Sequence, residues 1–259
     1  MKKVHIILIC IFGFHPLFSS VVDKGLRFVP EIDKKKIDCF FEYAIKLENA
    51  GHTLYFKSKP VCLIGFWLDG ATDQKFREGW ETFCKYEELF PSKSFILNST
   101  LVNLSDKKAI HIYLVNKESL ISCIDQHSII FKEILNKEVN GLNFLYDIEN
   151  GNQFMDLIEH NEVLLGILLG YGEESSKLYN KNKLLSIKNK SSKNSYYTTI
   201  TSEIKENNEI FPVAFKGSKY SKEASKINAQ FQQERQDLWK VFLEKNKDPT
   251  KFFLEAYCN

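Results

Sequence analysis

Hydrophobic residues recur at helical spacing along most of the chain, and two stretches in the first half break that rhythm with strand-like patterns. Residues 34–51 carry apolar side chains three and four positions apart, which predicts a helix closed by Gly51. Residues 52–67 predict two short strands. The second, from Val61 to Trp67, is continuously apolar and is therefore expected to be a central, buried strand.

Further helices and one hairpin follow along the chain. The pattern predicts a helix over 69–91 and then a β-hairpin over 94–116, in which polar turn residues separate two apolar runs. Residues 117–136 predict one amphipathic helix. The segment 141–172 is mainly helical and includes a buried Leu/Gly-rich helix near 161–171.

The C-terminal part is first polar and then helical again. Residues at about 180–200 are rich in lysine and asparagine and lack acidic side chains, which predicts a polar surface loop. A short extended piece at 211–215 precedes a long helix. Asp248 and Pro249 supply an N-cap and a first-turn proline for the last helix.

Strands are concentrated in the first half of the chain and helices in the second, which indicates the α+β class. We expect a small antiparallel sheet from the N-terminal half, packed against a mainly helical C-terminal half. With 259 residues and a hydrophobic fraction of 44%, the chain is long enough for one large core. A single domain is predicted over 21–259.

The first 20 residues, MKKVHIILICIFGFHPLFSS, have the pattern of a secretory signal peptide. Two lysines precede an apolar run, which is too short to span a bilayer as a mature helix. Cleavage after Ser19 or Ser20 is predicted, and the alternative is an uncleaved segment that holds the protein at the membrane. We therefore expect export to the periplasm, the cell envelope or the medium.

Charge and cysteine content narrow the class of protein further. Removing residues 1–20 takes away two lysines and brings the formal net charge from +2 to zero. This argues against a nucleic-acid partner, because such binding depends on neutralising phosphates, and it leaves a protein partner open. The five cysteines beyond the signal are either free buried thiols or partners in one or two disulfides: Cys39, Cys62, Cys84, Cys123 and Cys258.

The segment 170–175 reads G-x-G-x-x-S, which resembles part of a dinucleotide-binding turn. That fingerprint requires a preceding strand and a third glycine, but here the third position is serine and the preceding run is rich in leucine. We therefore expect a structural role instead. Gly166 and Gly170 are predicted to allow close approach to one helix face, and Gly170 or Gly172 to form its left-handed cap. Nucleotide binding would require a strand before Gly170.

Five residues are candidates for catalysis. Cys123 and His127 lie four apart on one predicted helix, the spacing at which a thiol and an imidazole share a face. Asp69 follows a predicted buried strand, while His160 and Glu173 flank the Leu/Gly helix. Cys123 and His127 could also form half of a metal site, but no second pair of ligands has useful spacing, and no motif indicates a cofactor. For each candidate the competing interpretation is structural, as a core thiol, a cap or a turn residue.

Two sequence blocks together resemble a family of uncharacterised exported proteins from chlamydia-like intracellular bacteria. One is LLGILLGYGEESS, over 164–176, and the other is FPVAFKGSKYSKEASKINAQFQQERQDLWKVF, over 211–242. In that family an LLGxLLG[FY]G block precedes a P-x-F segment, a charged helix and a short last helix. The resemblance covers about 35–257 and implies bacterial origin, export and an intracellular lifestyle. It implies no activity and no catalytic residues.

Two functions remain at this stage. The first is a non-enzymatic exported protein, associated with the envelope or directed to a host cell. The alternative is a hydrolase that acts outside the cytoplasm on an unidentified substrate. The two hypotheses differ in one structural expectation, because a hydrolase requires its candidate side chains to converge in a single concave site.

Overall fold

The structure is a computed structural model that describes residues 20–71, 73–104, 107–188, 198–200, 210, 213, 215–217 and 221–259. Its strands are β1 (Val61–Trp67), β2 (Phe95–Leu104), β3 (Lys107–Asn116), β4 (Thr198–Ile200) and β5 (Phe215–Gly217). Its helices in the first half are α1 (Val21–Leu26), α2 (Glu31–Lys46), α3 (Ala50–Tyr55), α4 (Gln74–Tyr86), α5 (Lys117–Gln126) and α6 (Ser128–Leu135). The later ones are α7 (Gly141–Glu149), α8 (Phe154–Leu157), α9 (Glu162–Leu168), α10 (Glu173–Lys188), α11 (Lys222–Glu244) and α12 (Pro249–Tyr257).

A three-stranded antiparallel sheet with the order β1-β3-β2 forms the centre of the fold. The predicted hairpin is confirmed, since β2 and β3 pair along their length from Phe95 opposite Asn116 to Leu104 opposite Lys107. β4 and β5 form a separate two-stranded ribbon. The α+β class and the small antiparallel sheet of the N-terminal half are thereby confirmed.

Helices cover both faces of the sheet, so the molecule has two apolar cores. One face presents Cys62, Ile64 and Phe66 to a core shared with α2, α4 and α12. The opposite face presents Tyr113 and Val115 to a second core, built from α5 to α9. Alternate strand residues point to opposite faces, which explains how one strand contributes to both cores.

The interpretation of β1 as a central strand was wrong, because β1 is an edge strand and β3 is central. The continuous apolar run in β1 arises because helices bury both faces of the sheet. The apolar run is therefore no evidence for a neighbouring strand on each side of β1. The end of α2 covers part of this free edge, where the Tyr43 hydroxyl donates to the Gly65 carbonyl at 2.5 Å.

The first of the two predicted strands after α2 is instead the short helix α3. Asn49 separates α2 from α3 in a left-handed conformation, with φ of 64°, and takes the role that was expected of Gly51. Gly51 lies inside α3, where an added Cβ would stand 3.1 Å from the Leu238 side chain of α11. Packing against a distant helix therefore overrides the strand propensity of the segment.

One helical prediction and one loop prediction need correction, and a second helical prediction is confirmed. The single helix expected over 117–136 is two helices, α5 and α6, which meet at His127. The buried Leu/Gly helix near 161–171 is confirmed as α9, whose N-cap Asn161 accepts hydrogen bonds from two backbone amides. The polar loop predicted from about residue 180 is wrong over its first part, because α10 continues to Lys188 and β4 begins at Thr198. No glycine or proline interrupts this part of α10.

Several predictions fall on residues outside the described ranges. These are the signal peptide over 1–19, the loop over 189–197 and most of the extended piece at 211–215. Within the described part of the chain, no helix combines the length and the apolar character that crossing a bilayer would require.

Candidate functional site

The glycine block forms a tight turn between α9 and α10. Gly170 and Gly172 have φ values of +80° and +79°, which confirms the predicted left-handed cap. Gly166 packs directly against Ser176 of α10, and an added Cβ at Gly170 would stand 2.6 Å from the Ser58 carbonyl oxygen. The close approach predicted at Gly166 and Gly170 is therefore confirmed, although only Gly166 lies within the helix.

The backbone amides that open α10 are occupied by a carboxylate of the protein itself. Glu223 of α11 accepts from the Glu173 amide at 3.1 Å and from the Glu174 amide at 2.9 Å. An added Cβ at Gly172 would stand 2.6 Å from Glu223 Cδ, so this glycine makes room for the carboxylate. A helix N-terminus favours an anion, and here the anion is an internal side chain.

The dinucleotide hypothesis is contradicted by the element that precedes the glycines. It required a strand before Gly170, and the structure has the helix α9 there. The G-x-G-x-x-S segment thus ends one helix and starts the next without a βαβ unit. Its glycines are structural residues.

A cavity of about 480 Å³ opens beside this turn, and we call it the Gly170 cleft. It lies between α5 and α11, with the glycine turn at its border. Its polar lining includes Ser58, Gln126, His127, Glu223, Lys226 and Gln230. Its walls therefore carry both acidic and basic side chains.

Three of the five catalytic candidates meet at this cleft. Cys123 and His127 line it, and Glu173 Oε2 lies 3.5 Å from His127 Nδ1. Asp69 is an exposed turn residue after β1, and His160 is exposed on the surface with a 3.1 Å hydrogen bond to Asp156. The structure thus brings Cys123, His127 and Glu173 together, whereas Asp69 and His160 lie elsewhere.

The sulfur of Cys123 is held in an environment unsuited to a nucleophile. Its weak hydrogen bond, at 3.9 Å, goes to the Ile167 carbonyl of α9 and not to His127. Burial raises the pKa of Cys123 to about 12, so the thiol is protonated at neutral pH. His127 is the C-cap of α5 and its ring contacts Glu173, while the thiol bonds to Ile167, so the expected sharing of one helix face does not produce a thiol–imidazole pair.

Glu173 and His127 take part in a surface ion-pair group. The Glu173 carboxylate bonds to the Lys177 ammonium at 2.5 Å and lies near His127. These contacts, with that to Lys177 the largest, hold the pKa of Glu173 below its usual value. A carboxylate that is ionised and paired in this way is a poor general acid at neutral pH.

A buried polar network below the cleft was missed by sequence analysis. Glu234 of α11 is only 6% exposed and accepts hydrogen bonds from His52 at 2.9 Å, Ser58 at 2.6 Å and Gln230 at 3.0 Å. His52 is 182 positions away in sequence, so no local pattern connects the pair. One signal was available, since Glu234 stands three residues after Phe231 and so lies on the apolar face of α11.

No known protein-family model matches this chain, and neither curated proteins nor solved structures give a match. The roles of the cleft residues therefore rest on geometry and chemistry. Across the described ranges, no group of three or more His, Cys, Asp or Glu side chains is arranged to hold a metal ion.

The five cysteines beyond the predicted signal are all free thiols in the structure. Of the two alternatives that the sequence left open, the structure thus has free thiols. Cys62 is fully buried and donates to the Glu48 carbonyl at 3.0 Å, whereas Cys84 is exposed on α4.

Acidification is expected to destabilise the protein through His52. Burial lowers the pKa of His52, so the folded state keeps a neutral imidazole that donates Nδ1–H to Glu234. The unfolded state takes up a proton below about pH 6.5, and stability should fall by at most about 1.4 kcal/mol per pH unit below it. Urea unfolding across this range, with NMR titration of the ring, measures the effect. A His52 ring that titrates at about 6.5, like a free imidazole, would contradict the assignment.

Proposed function

We propose that this chain is an exported, non-enzymatic bacterial protein that acts in the cell envelope or is directed to a host cell. The observation that carries the proposal is the state of the Gly170 cleft. Its thiol is protonated and bonded to Ile167, its imidazole contacts Glu173, and its helix amides hold Glu223. The thiol, the imidazole and the helix amides, which are the groups considered for chemistry there, thus have structural partners.

The N-terminal sequence supports export, and the start of α1 bears on the cleavage site. The Ser20 hydroxyl accepts from the Asp23 amide at 3.0 Å and caps α1. Cleavage after Ser19 keeps this cap, whereas cleavage after Ser20 removes it at a cost of about 1 kcal/mol to the helix. We therefore favour Ser20 as the first mature residue.

Cell fractionation with N-terminal sequencing tests the export proposal. In a bacterial host, the full chain should appear outside the cytoplasm and begin at Ser20, because an apolar signal run directs secretion. A Leu8→Lys variant breaks that run and should remain inside. Extraction with carbonate separates a cleaved soluble chain from one held at the membrane by an uncleaved segment. An intact wild-type chain in the cytosol would contradict export.

A hydrolase remains the second candidate, because Cys123, His127 and Glu173 do gather at one cleft. In that case a conformational change must free the thiol from Ile167 and pair it with His127. The reactivity of the thiol separates the two functions, since a nucleophilic cysteine has a lowered pKa and good access.

Iodoacetamide is expected to label Cys84 at least about tenfold faster than Cys123 at about pH 8. Burial raises the pKa of Cys84 to about 11 and that of Cys123 to about 12, and Cys84 is also the more exposed. Mass spectrometry of the labelled peptides over time measures both rates in the same sample. Faster labelling at Cys123 would contradict a protonated, structural thiol and favour the hydrolase.

A further inference from the structure

A second cavity, of about 340 Å³, lies on the other side of the glycine turn, against the free edge of β1. It is lined by Leu47, Glu48, Asn49, Lys59, Leu63 and Leu169, together with Gly65, Tyr171 and Val213. We call it the Lys59 cavity. None of its residues lines the Gly170 cleft.

Lys59 places an ammonium group in this cavity. Its side chain is 3% exposed, and it forms no hydrogen bond or ion pair with the residues that the structure describes. Burial by itself would lower the pKa of Lys59, but attraction to Cys62, Tyr171 and Glu48 raises it overall. The Cys62 thiol is uncharged at neutral pH, since burial raises its pKa to about 11.

Glu48 supplies a carboxyl group on the same lining. Burial raises the pKa of Glu48, while the hydroxyl of Tyr43 and the charge of Lys59 both favour its ionised form. The interaction between Glu48 and Lys59 is an electrostatic attraction without a hydrogen bond between the two side chains. A buried ammonium and a buried carboxyl group that do not bond to each other are costly unless other groups complete their hydrogen bonds.

Asn49 adds an acceptor beside the carboxylate. Its side chain is 9% exposed, and within the described chain its Oδ1 has no hydrogen-bond partner, while its Nδ2 donates to the Leu47 carbonyl at 3.3 Å. The cavity thus offers donors at Lys59, and acceptors at Glu48 and Asn49. The remaining lining is largely apolar, through Leu63 and Leu169 among others.

We propose that the Lys59 cavity binds a small free α-amino acid with an apolar side chain. The ligand carboxylate pairs with Lys59, the ligand ammonium bonds to Glu48 and to Asn49 Oδ1, and its side chain packs against Leu63 and Leu169. A zwitterion fits because its carboxylate pairs with the Lys59 ammonium while its ammonium stabilises the ionised form of Glu48, and a monovalent ion of either sign makes only one of these contacts. The volume is that of a small-molecule site.

Calorimetric titration of the full chain tests this with L-leucine as the probe. Two analogues each lack one charge of L-leucine: leucinamide has no carboxylate, and 4-methylpentanoate has no ammonium. L-leucine should bind at a single saturable site, and each analogue at least about tenfold more weakly, because each loses a charge-assisted contact. Inorganic phosphate should not compete.

Variants locate the binding. Lys59→Met and Glu48→Gln should each weaken L-leucine binding at least about tenfold. The exposed controls Lys137→Met and Glu88→Gln should leave it unchanged. No saturable binding of L-leucine overturns the proposal, as does binding that the cavity variants leave unchanged or that phosphate displaces. Equal affinity for either analogue overturns it too, and that comparison uses the unmodified chain, so it does not depend on whether a variant folds.

Discussion

Replacing Gly170 by alanine is expected to lower the free energy of unfolding by about 3 kcal/mol or more, one of the two largest effects predicted for this protein. Two causes add at this position. The backbone has φ of +80°, which costs an alanine about 1–2 kcal/mol. The new Cβ would also stand 2.6 Å from the Ser58 carbonyl oxygen, so the backbone must shift.

Gly151 offers a matched control, because it also has a positive φ but has no close neighbour that an added Cβ would meet. Its φ is +87°, and no atom lies within 4 Å of the position where a Cβ would stand. Gly151→Ala should therefore cost only about 1–2 kcal/mol. Urea unfolding of the two variants beside the wild type measures the difference. Equal losses would mean that the turn does not approach Ser58 as the structure has it.

Replacing Glu234 by alanine is the second large effect, with an expected loss of about 3 kcal/mol or more. The change leaves His52, Ser58 and Gln230 without their shared acceptor. His52 and its partner are buried, so water cannot replace the lost hydrogen bonds without opening the core.

Asp237 on the same helix provides the comparison for Glu234. It is bonded to Lys240 on the surface, and Asp237→Ala should leave the free energy of unfolding almost unchanged. Glu234→Gln keeps the shape and one acceptor oxygen and should fall between the two alanine variants. Chemical denaturation of all three variants measures their free energies of unfolding. A loss for Glu234→Ala as small as that for Asp237→Ala would contradict the buried network.

Ser58 connects these two predictions. Its carbonyl oxygen approaches Gly170, and its hydroxyl donates to Glu234. The segment between α3 and β1 therefore joins the glycine turn to α11, and it also separates the Gly170 cleft from the Lys59 cavity. A shift of this segment would change the shape of both cavities, because Ser58 lines the Gly170 cleft and Lys59 lines the Lys59 cavity.

Local pattern was sufficient for most helices and for the hairpin. The helix α9 was predicted from its leucines, and its left-handed cap from Gly170 and Gly172. These features depend on neighbours within about one turn, where periodicity and glycine chemistry act directly. The position of β1 was not predictable in this way, since an apolar run reports burial of two faces and not the order of strands.

In the candidate site, too, local sequence predicted some features, while contacts between distant segments decided others. The spacing of Cys123 and His127 placed both at the cleft, but the thiol bonds to Ile167 and the imidazole contacts Glu173, both of which come from distant segments. The network around Glu234 escaped prediction, because its partner His52 lies 182 positions away.

The sequence by itself determined the α+β class, the hairpin, the buried helix α9 and the glycine turn that follows it. The tertiary structure alone decided what that turn serves. It showed that Glu223 occupies the amides of α10, that Glu234 binds His52, and that Lys59 and Glu48 face one cavity. Secondary structure follows from neighbouring residues, whereas these contacts join segments far apart in the chain, and their partners are brought within bonding distance only when the two cores assemble.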